Sequence, residues 1–357
     1  MSITSKKWGE VSGNVVNLYS ITEGQTTLVV SNYGALIQSL FIPNKLGESQ
    51  DIVLGFDDLA AYQADTIHMG VTPAIFVNRI RNGAFNLNGK KVQLQCNGKP
   101  YSQHAGQINK LVWKAEVIEN TNGSGVKFLL IVENGFEGFP GPIYFTVTYF
   151  LDKSELFYIQ YNVISDQDTV INLTNHAYFN LGGEDILSHE LKIKSDVILK
   201  TDEDILPTGE LSYFEEVSPF NFQRLKKIGK DIDQENSVLN IAQGYDVSYV
   251  VDQCMPVAVF NPLTSKEEQV SFAVETFSEQ SGVRLQLFTS QSIVHFYSGN
   301  SMDGAVGKKK RKHLPRIGFC LETQAYADAP NQPHFPSTIL KKGERFSELS
   351  VYKFSLG

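Results

Sequence analysis

Along most of this chain apolar residues recur at every second position, and the segments that do so come in pairs separated by turn residues. Phe145, Val147, Tyr149 and Leu151 alternate with polar or smaller neighbours, Asp152 to Glu155 supply a turn, and Phe157, Ile159, Tyr161 and Val163 resume the period. A period of two puts one set of side chains on one face of an extended segment, so such a pair reads as an antiparallel hairpin. A second pair joins Phe85 and Leu87 to Val92 and Leu94 through Asn88-Gly89, a dipeptide suited to positive φ. A third sets Val270, Phe272 and Val274 against Val283, Leu285 and Leu287 around Ser281-Gly282, and a last strand is expected near Phe346 to Phe354.

Helical periodicity is scarce; Asp57 to Tyr62 and Phe222 to Ile228 each suit a turn or two. Many antiparallel pairs without a strand–helix rhythm predict an all-β architecture, two sheets face to face, with roughly twenty or more short strands. The 357 residues could make two domains, but no linker, composition break or fixed repeat divides them, so one domain over 1–357 is expected. A hydrophobic content of 42% supports a sizeable core, and 28 glycines spread along the chain suit many tight turns.

Charge narrows the partners. A formal net charge of −8 without a long basic face argues against nucleic acid or an anionic membrane, which demand clustered Lys and Arg. The one basic run, Lys308 to Lys312, lies between Gly307 and Pro315 and reads as a solvated loop. Cys96, Cys254 and Cys320 are odd in number and far apart, which suggests neither a disulfide framework nor a thiolate metal site and fits a reducing, cytoplasmic setting. The start of the chain, Met1 to Gly13, has no apolar core of a signal peptide, and no run approaches a membrane span.

Among the seven histidines, His68, His189, His313 and His334 sit in polar or Pro-rich contexts and read as surface or turn residues. His295, in Ile293-Val294-His295-Phe296-Tyr297, could take either face. His176 differs: Thr174, His176 and Tyr178 share one face of an extended segment, and a polar face amid apolar strands is costly unless it lines a wet cavity or is fully hydrogen-bonded. With Glu322, also in apolar strand-like sequence, it could move protons to and from one bound substrate. Taken singly, Glu322 could be half of a structural ion pair, Arg79 a strand-end cap and Asp246 a turn aspartate. No HxxxH, HxH or nearby Cys supplies a second metal ligand beside His176.

The segments Thr174 to Gly183 (TNHAYFNLGG) and Gly318 to Pro336 (GFCLETQAYADAPNQPHFP), with Val53-Leu54-Gly55-Phe56, Asn78-Arg79-Ile80, Gly244-Tyr245-Asp246 and Phe296-Tyr297-Ser298-Gly299-Asn300, resemble the aldose 1-epimerases, also called galactose mutarotases, in order and about in spacing. The resemblance runs roughly from Tyr33 to Phe354. It implies a large antiparallel β-sandwich of the galactose mutarotase type with a sugar cleft on one face. It implies His176 as general acid, Glu322 as general base, His104 and Arg79 holding the sugar, Asp246 fixing hydroxyls and Tyr297 packing on the pyranose. The activity implied is interconversion of the α and β anomers of a free aldohexose, galactose or glucose, by a monomer or homodimer. No cofactor or metal is expected, since ring opening and reclosure regenerate the starting protonation states.

The chain departs from the family's usual pattern at Ala74-Ile75, Ala105-Gly106 and Val247-Ser248, where glycine-arginine, glycine-glycine and often histidine-asparagine stand. Polar groups lost near the cleft would change which hydroxyls are paired. A hexose 6-phosphate epimerase on the same fold would want extra Arg or Lys at the cleft, and Ile75 in place of arginine counts against it; a catalytically silent sugar-binding protein is opposed by the presence of both His176 and Glu322. For His176 to act as an acid near pH 7, its pKa must lie above the ordinary value of about 6.5.

Overall fold

The computed structural model describes residues 2–357. Three antiparallel sheets carry the architecture. The strands Ser2–Val11, Asn14–Glu23, Thr26–Ser31, Leu36–Pro43 and Ser49–Asp51 form a meander of five, each neighbour in sequence also neighbour in space. A ten-stranded sheet is centred on Ile143–Asp152, Phe157–Ser165, Arg345–Leu356, Val283–Thr289 and Lys266–Phe277. The third runs, from edge to edge, Tyr178–Phe179, Phe319–Gln324, Ile293–Tyr297, Asp246–Val250, Val197–Thr201 and Pro207–Tyr213.

The hairpins follow from local chemistry. Asn88 and Gly89 take φ of 52° and 77°, so Leu87 pairs with Lys90 across a two-residue turn whose twist matches its strands. Ile143–Asp152 and Phe157–Ser165 pair over their whole length, and Val270 to Leu287 forms the third expected hairpin with one bulge between Phe272 and Val274. Phe145, Val147, Tyr149, Phe157, Ile159 and Tyr161 point into one cluster that also takes Ile21 and Leu28 from the five-stranded sheet and Val294, Phe319 and Leu321 from the six-stranded sheet. Burial of this kind stabilises by roughly 25 cal/mol for each Å² of apolar surface removed from water.

Some local expectations need correcting. A short helix does form near Asp57, at Leu59–Ala64, where the Asp58 side chain accepts from the Ala61 amide as N-cap. Phe222 to Ile228 holds no α-helix; Lys226–Lys227 is drawn into the edge of the large sheet, and the second short helix is Ser237–Ala242, capped by Asn236. Nor is Lys308 solvated: its ammonium is largely buried, 2.7 Å from Asp51, and also donates to Ser39 Oγ at 3.0 Å, so the basic run is anchored at its first residue. His189 and His313 are buried rather than superficial, His189 accepting from the Leu181 amide at 3.0 Å.

Candidate active site

Alternation along three adjacent strands of the six-stranded sheet divides core from site. Val247 and Tyr249, Phe296 and Val294, and Phe319 and Leu321 enter the main core. The intervening Asp246 and Ser248, His295 and Tyr297, and Cys320 and Glu322 therefore face the other way. Register then sets the neighbours: Ser248, His295 and Glu322 lie in one row across the strands, and Asp246, Tyr297, Cys320 and Tyr178 in the next.

These rows floor a cavity of about 370 Å³ whose lining includes all the residues singled out as site candidates: Arg79, His104, His176, Asp246, Tyr297 and Glu322. His68 and His295 line it as well. A larger groove of about 1140 Å³ near Leu187 and Lys230 gathers no comparable set of converging histidines and carboxylates. His176 comes in from the irregular segment before Tyr178, held by its own backbone: its amide donates to Val71 O at 2.9 Å and its carbonyl accepts from Gly70 at 3.0 Å. The neighbouring Asn175 is turned away from the cavity and ties Gly70 O and the Tyr149 hydroxyl, each at 3.0 Å. Thr174, expected on the same polar face, is buried outside the lining.

His176 Nε2 lies 3.6 Å from Glu322 Oε1, beyond hydrogen-bond range, and Glu322 Oε2 is buried without a partner. Burial removes both groups from water and penalises the charged form of each. It lowers the His176 pKa to about 3, with the His68 charge adding to the effect, and raises that of Glu322 from 4.5 to about 7. The histidine is thus depressed where the sequence argument required it raised, because no carboxylate comes close enough to outweigh desolvation.

Asp246 has closer company. Its Oδ1 is 2.7 Å from His295 Nε2 and its Oδ2 is 3.7 Å from Arg79 Nη2. Burial alone would raise the Asp246 pKa, but the His295 hydrogen bond and the Arg79 charge hold it at about 2. The Arg79 guanidinium also donates to the Ile205 carbonyl at 3.2 Å and lies 5.4 Å from the centre of the Tyr101 ring, with its Nε left unpartnered.

Three histidines cluster with their rings tilted or edge-on to one another. His68, His104 and His176 have ring centres 4.6 to 5.7 Å apart. Asn109 donates its side-chain amide to His68 Nδ1 at 2.5 Å, and the Asn78 backbone N–H donates to His104 Nδ1 at 3.4 Å. Both rings then present Nε2–H as a donor. Burial drives the His68 pKa to about 4 and that of His104 well below 6.5. His68 was read as a turn or surface residue; it is in a turn, with φ of 61°, but that turn folds it over the cavity. Its local sequence carries no signal of this. His295 was legible in part, since it shares a strand face with Tyr297. The Tyr297 hydroxyl accepts from the Ser301 amide at 2.8 Å, so its ring is fixed as a wall.

The departures from the family pattern fall mostly outside the cavity. Ala74, Ile75, Ala105 and Val247 belong to the main core, so an arginine is not missing from the cavity wall at Ile75 as the sequence comparison suggested. Ser248 alone touches the site, through His295.

Comparison with known proteins agrees along the whole chain. Residues 17–353 match the aldose 1-epimerase family. The galactose mutarotases of Bos taurus and Homo sapiens are each 33% identical to this chain, over 100% and 99% of it and 99% of their own length. The aldose 1-epimerase of Escherichia coli is 28% identical over 92% of this chain and 91% of its own. Among solved structures, an aldose epimerase homologue from C. elegans superposes with a TM-score of 0.84 at 26% identity, covering 96% of this chain and 99% of that one. A family match over nearly the full sequence and relatives a third identical from end to end establish that this chain belongs to the aldose 1-epimerase family.

Proposed function

We propose that the protein is an aldose 1-epimerase that interconverts the α and β anomers of free aldohexoses such as galactose and glucose. The observation that carries this is the open pair: a buried imidazole and a buried carboxyl face one cavity 3.6 Å apart, neither satisfied by the other. A hemiacetal lying against both groups supplies what each lacks. One group takes the proton of the C1 hydroxyl as the other gives a proton to the ring oxygen; the C1–O5 bond breaks and C1 becomes an aldehyde carbon. Rotation about C1–C2 presents the other carbonyl face. Both transfers then run backward, the ring closes as the opposite anomer, and the protein regains its starting protons.

The pair needs one proton between its members. Glu322 as base and His176 as acid, the roles the family resemblance implies, require that proton on the imidazole. In the free protein burial favours it on Glu322. Binding of the sugar shifts it across, or the two exchange roles; either course leaves the proton count unchanged. Asp246 and Arg79 suit sugar hydroxyls through charge-assisted hydrogen bonds, His104 adds an N–H donor, and Tyr297 offers a ring face to the pyranose. Holding the rest of the sugar while C1 turns keeps the reacting atoms in line. We further propose that residues 1–357 act as one domain, in the cytoplasm. Among the described residues no helix is long and apolar enough to cross a membrane.

Polarimetry of freshly dissolved α-D-galactose and α-D-glucose tests the reading. Catalytic amounts of protein should hasten both toward anomeric equilibrium. Binding of either sugar with no acceleration would replace the enzyme by a silent binder, and acceleration confined to glucose 6-phosphate would replace the substrate class.

A further inference from the structure

The cavity floor holds a second arrangement that proton transfer between His176 and Glu322 does not itself use. His295 is buried and bonded at both ring nitrogens: Nδ1 lies 2.8 Å from Ser248 Oγ, and Nε2 lies 2.7 Å from Asp246 Oδ1. It stands directly across the strand pair from Glu322. We propose that His295 is a positioning residue for the epimerase reaction: clamped between Ser248 and Asp246 as an imidazolium, it sets a fixed positive charge beside Glu322 and holds Asp246 in one orientation toward the sugar. This rests on the reading of Glu322 as a proton carrier.

The two short contacts clamp the ring and fit an imidazolium, which donates to both partners at once. A neutral imidazole has one N–H and could donate to only one of its two partners, leaving Ser248 to donate to the other nitrogen. Asp246 is held ionised, and an ionised carboxylate only accepts, so Nε2 must carry hydrogen. Although burial opposes the charge on His295, the hydrogen bond and charge of Asp246 raise its pKa, with Glu322 adding to the effect. The other groups around Glu322 do not duplicate this charge. Asp246 opposes ionisation of Glu322, Tyr178 and Cys320 are driven neutral by burial, and His68, His104 and His176 are neutral for the same reason. Arg79 also favours the carboxylate, but ranks behind both His295 and Asp246 in its effect on Glu322. Without His295, then, Glu322 would be kept protonated to higher pH by desolvation and by an Asp246 now free of its partner.

The test compares His295→Gln, which keeps an N–H donor but no charge, with Ser248→Ala and the double variant. Carbon-13 NMR of the Glu322 carboxyl in the free full-length protein is followed from pH 5 to 9, beside the pH profile of kcat/KM. In His295→Gln the Glu322 midpoint should rise by half a pH unit or more, and the basic limb of kcat/KM should rise with it. Ser248→Ala should shift both by less, and the double variant should match His295→Gln, because the serine acts only through the histidine. A folded His295→Gln protein with an unmoved Glu322 midpoint, or additive shifts in the double variant, would overturn the proposal. If the NMR midpoint moves but wild-type protein does not accelerate mutarotation, the electrostatic device stands and the enzymatic reading falls.

Discussion

Two histidine–carboxylate pairs share one cavity and behave in opposite ways. His295 and Asp246 are closed at 2.7 Å, with the pKa of the imidazole raised and that of the carboxyl lowered to about 2. His176 and Glu322 stay apart at 3.6 Å, with the imidazole driven neutral and the carboxyl kept protonated to about pH 7. Both pairs are buried, so burial cannot be the difference. Contact is: a short charge-assisted bond outweighs desolvation, and a gap of this size does not. A closed pair is saturated and suits positioning. An open one has donor and acceptor capacity left for substrate, at a cost in stability that a functional site commonly carries.

The largest expected effect comes from disabling the open pair. Glu322→Gln and His176→Asn each remove a proposed proton carrier with little change in volume, and general acid–base groups contribute about 10² to 10⁴ in rate. Each variant should lose most of its kcat while keeping its circular dichroism and cooperative unfolding. A folded variant with more than about a tenth of wild-type kcat would release that residue from its role.

Stability should respond next. Glu322 has a raised value in the folded state, so folding retains a proton that the unfolded chain has lost. Its contribution is therefore present below about pH 4.5 and disappears as the pH rises to about 7. That span of about 2.5 units is worth at most about 3 kcal/mol. Glu322→Gln cannot titrate, so its stability relative to wild type should improve from pH 5 to pH 8 in urea denaturation. Parallel curves across that range would mean that Glu322 is not strained by ionisation.

The closed pair should give the converse. Asp246 is depressed to about 2, so its contribution is present above about pH 3.9 and is lost as the pH falls through 2; His295 is raised, so its contribution is full below about 6.5 and is lost at higher pH. Asp246→Asn exchanges a hydrogen bond between charged groups for a neutral one and leaves Arg79 without its acidic partner. A loss of about 1.5 to 3 kcal/mol is expected at pH 6, with a higher KM for the sugar. Unchanged stability at pH 6 would place the pair outside the folding balance.

The contrast between the pairs also explains what could be read in advance. Period-two alternation placed the hairpins and the C-terminal strand, because a one-residue slip would turn each buried face outward. The two long motifs carry His176 and Glu322, and the shorter family segments pointed to Arg79, His104, Asp246 and Tyr297; the fold brings all six to one cavity. What sequence could not supply was distance. Whether an imidazole lies 2.7 or 3.6 Å from a carboxylate depends on register between strands far apart in the chain, and that gap decided the direction of the His176 shift. His68 was missed for the same reason: it reaches the cavity through a left-handed turn and a contact with Asn109, 41 positions away.

The smallest effect, and the one that separates the pairs most finely, is the pH profile of kcat/KM. If the working pair holds one proton, activity fails when both groups are protonated and again when neither is. In the free protein the first loss begins only far below the ordinary histidine range, near 3, and the second near 7. These limits belong to the pair rather than to either residue. Between pH 5 and 6.5 the rate should therefore be nearly flat, and above about 7 it should fall up to tenfold per unit as the last proton leaves. An ionised Glu322 facing a charged His176 would instead require a His176 pKa well above its value in this structure, and the basic limb would fall at that higher value. A rate still climbing at pH 8.5 would show that the carboxylate works beside a neutral imidazole, and the proton given to the ring oxygen would then have to come from another donor in the cavity, with the His104 and His68 N–H groups the first to replace.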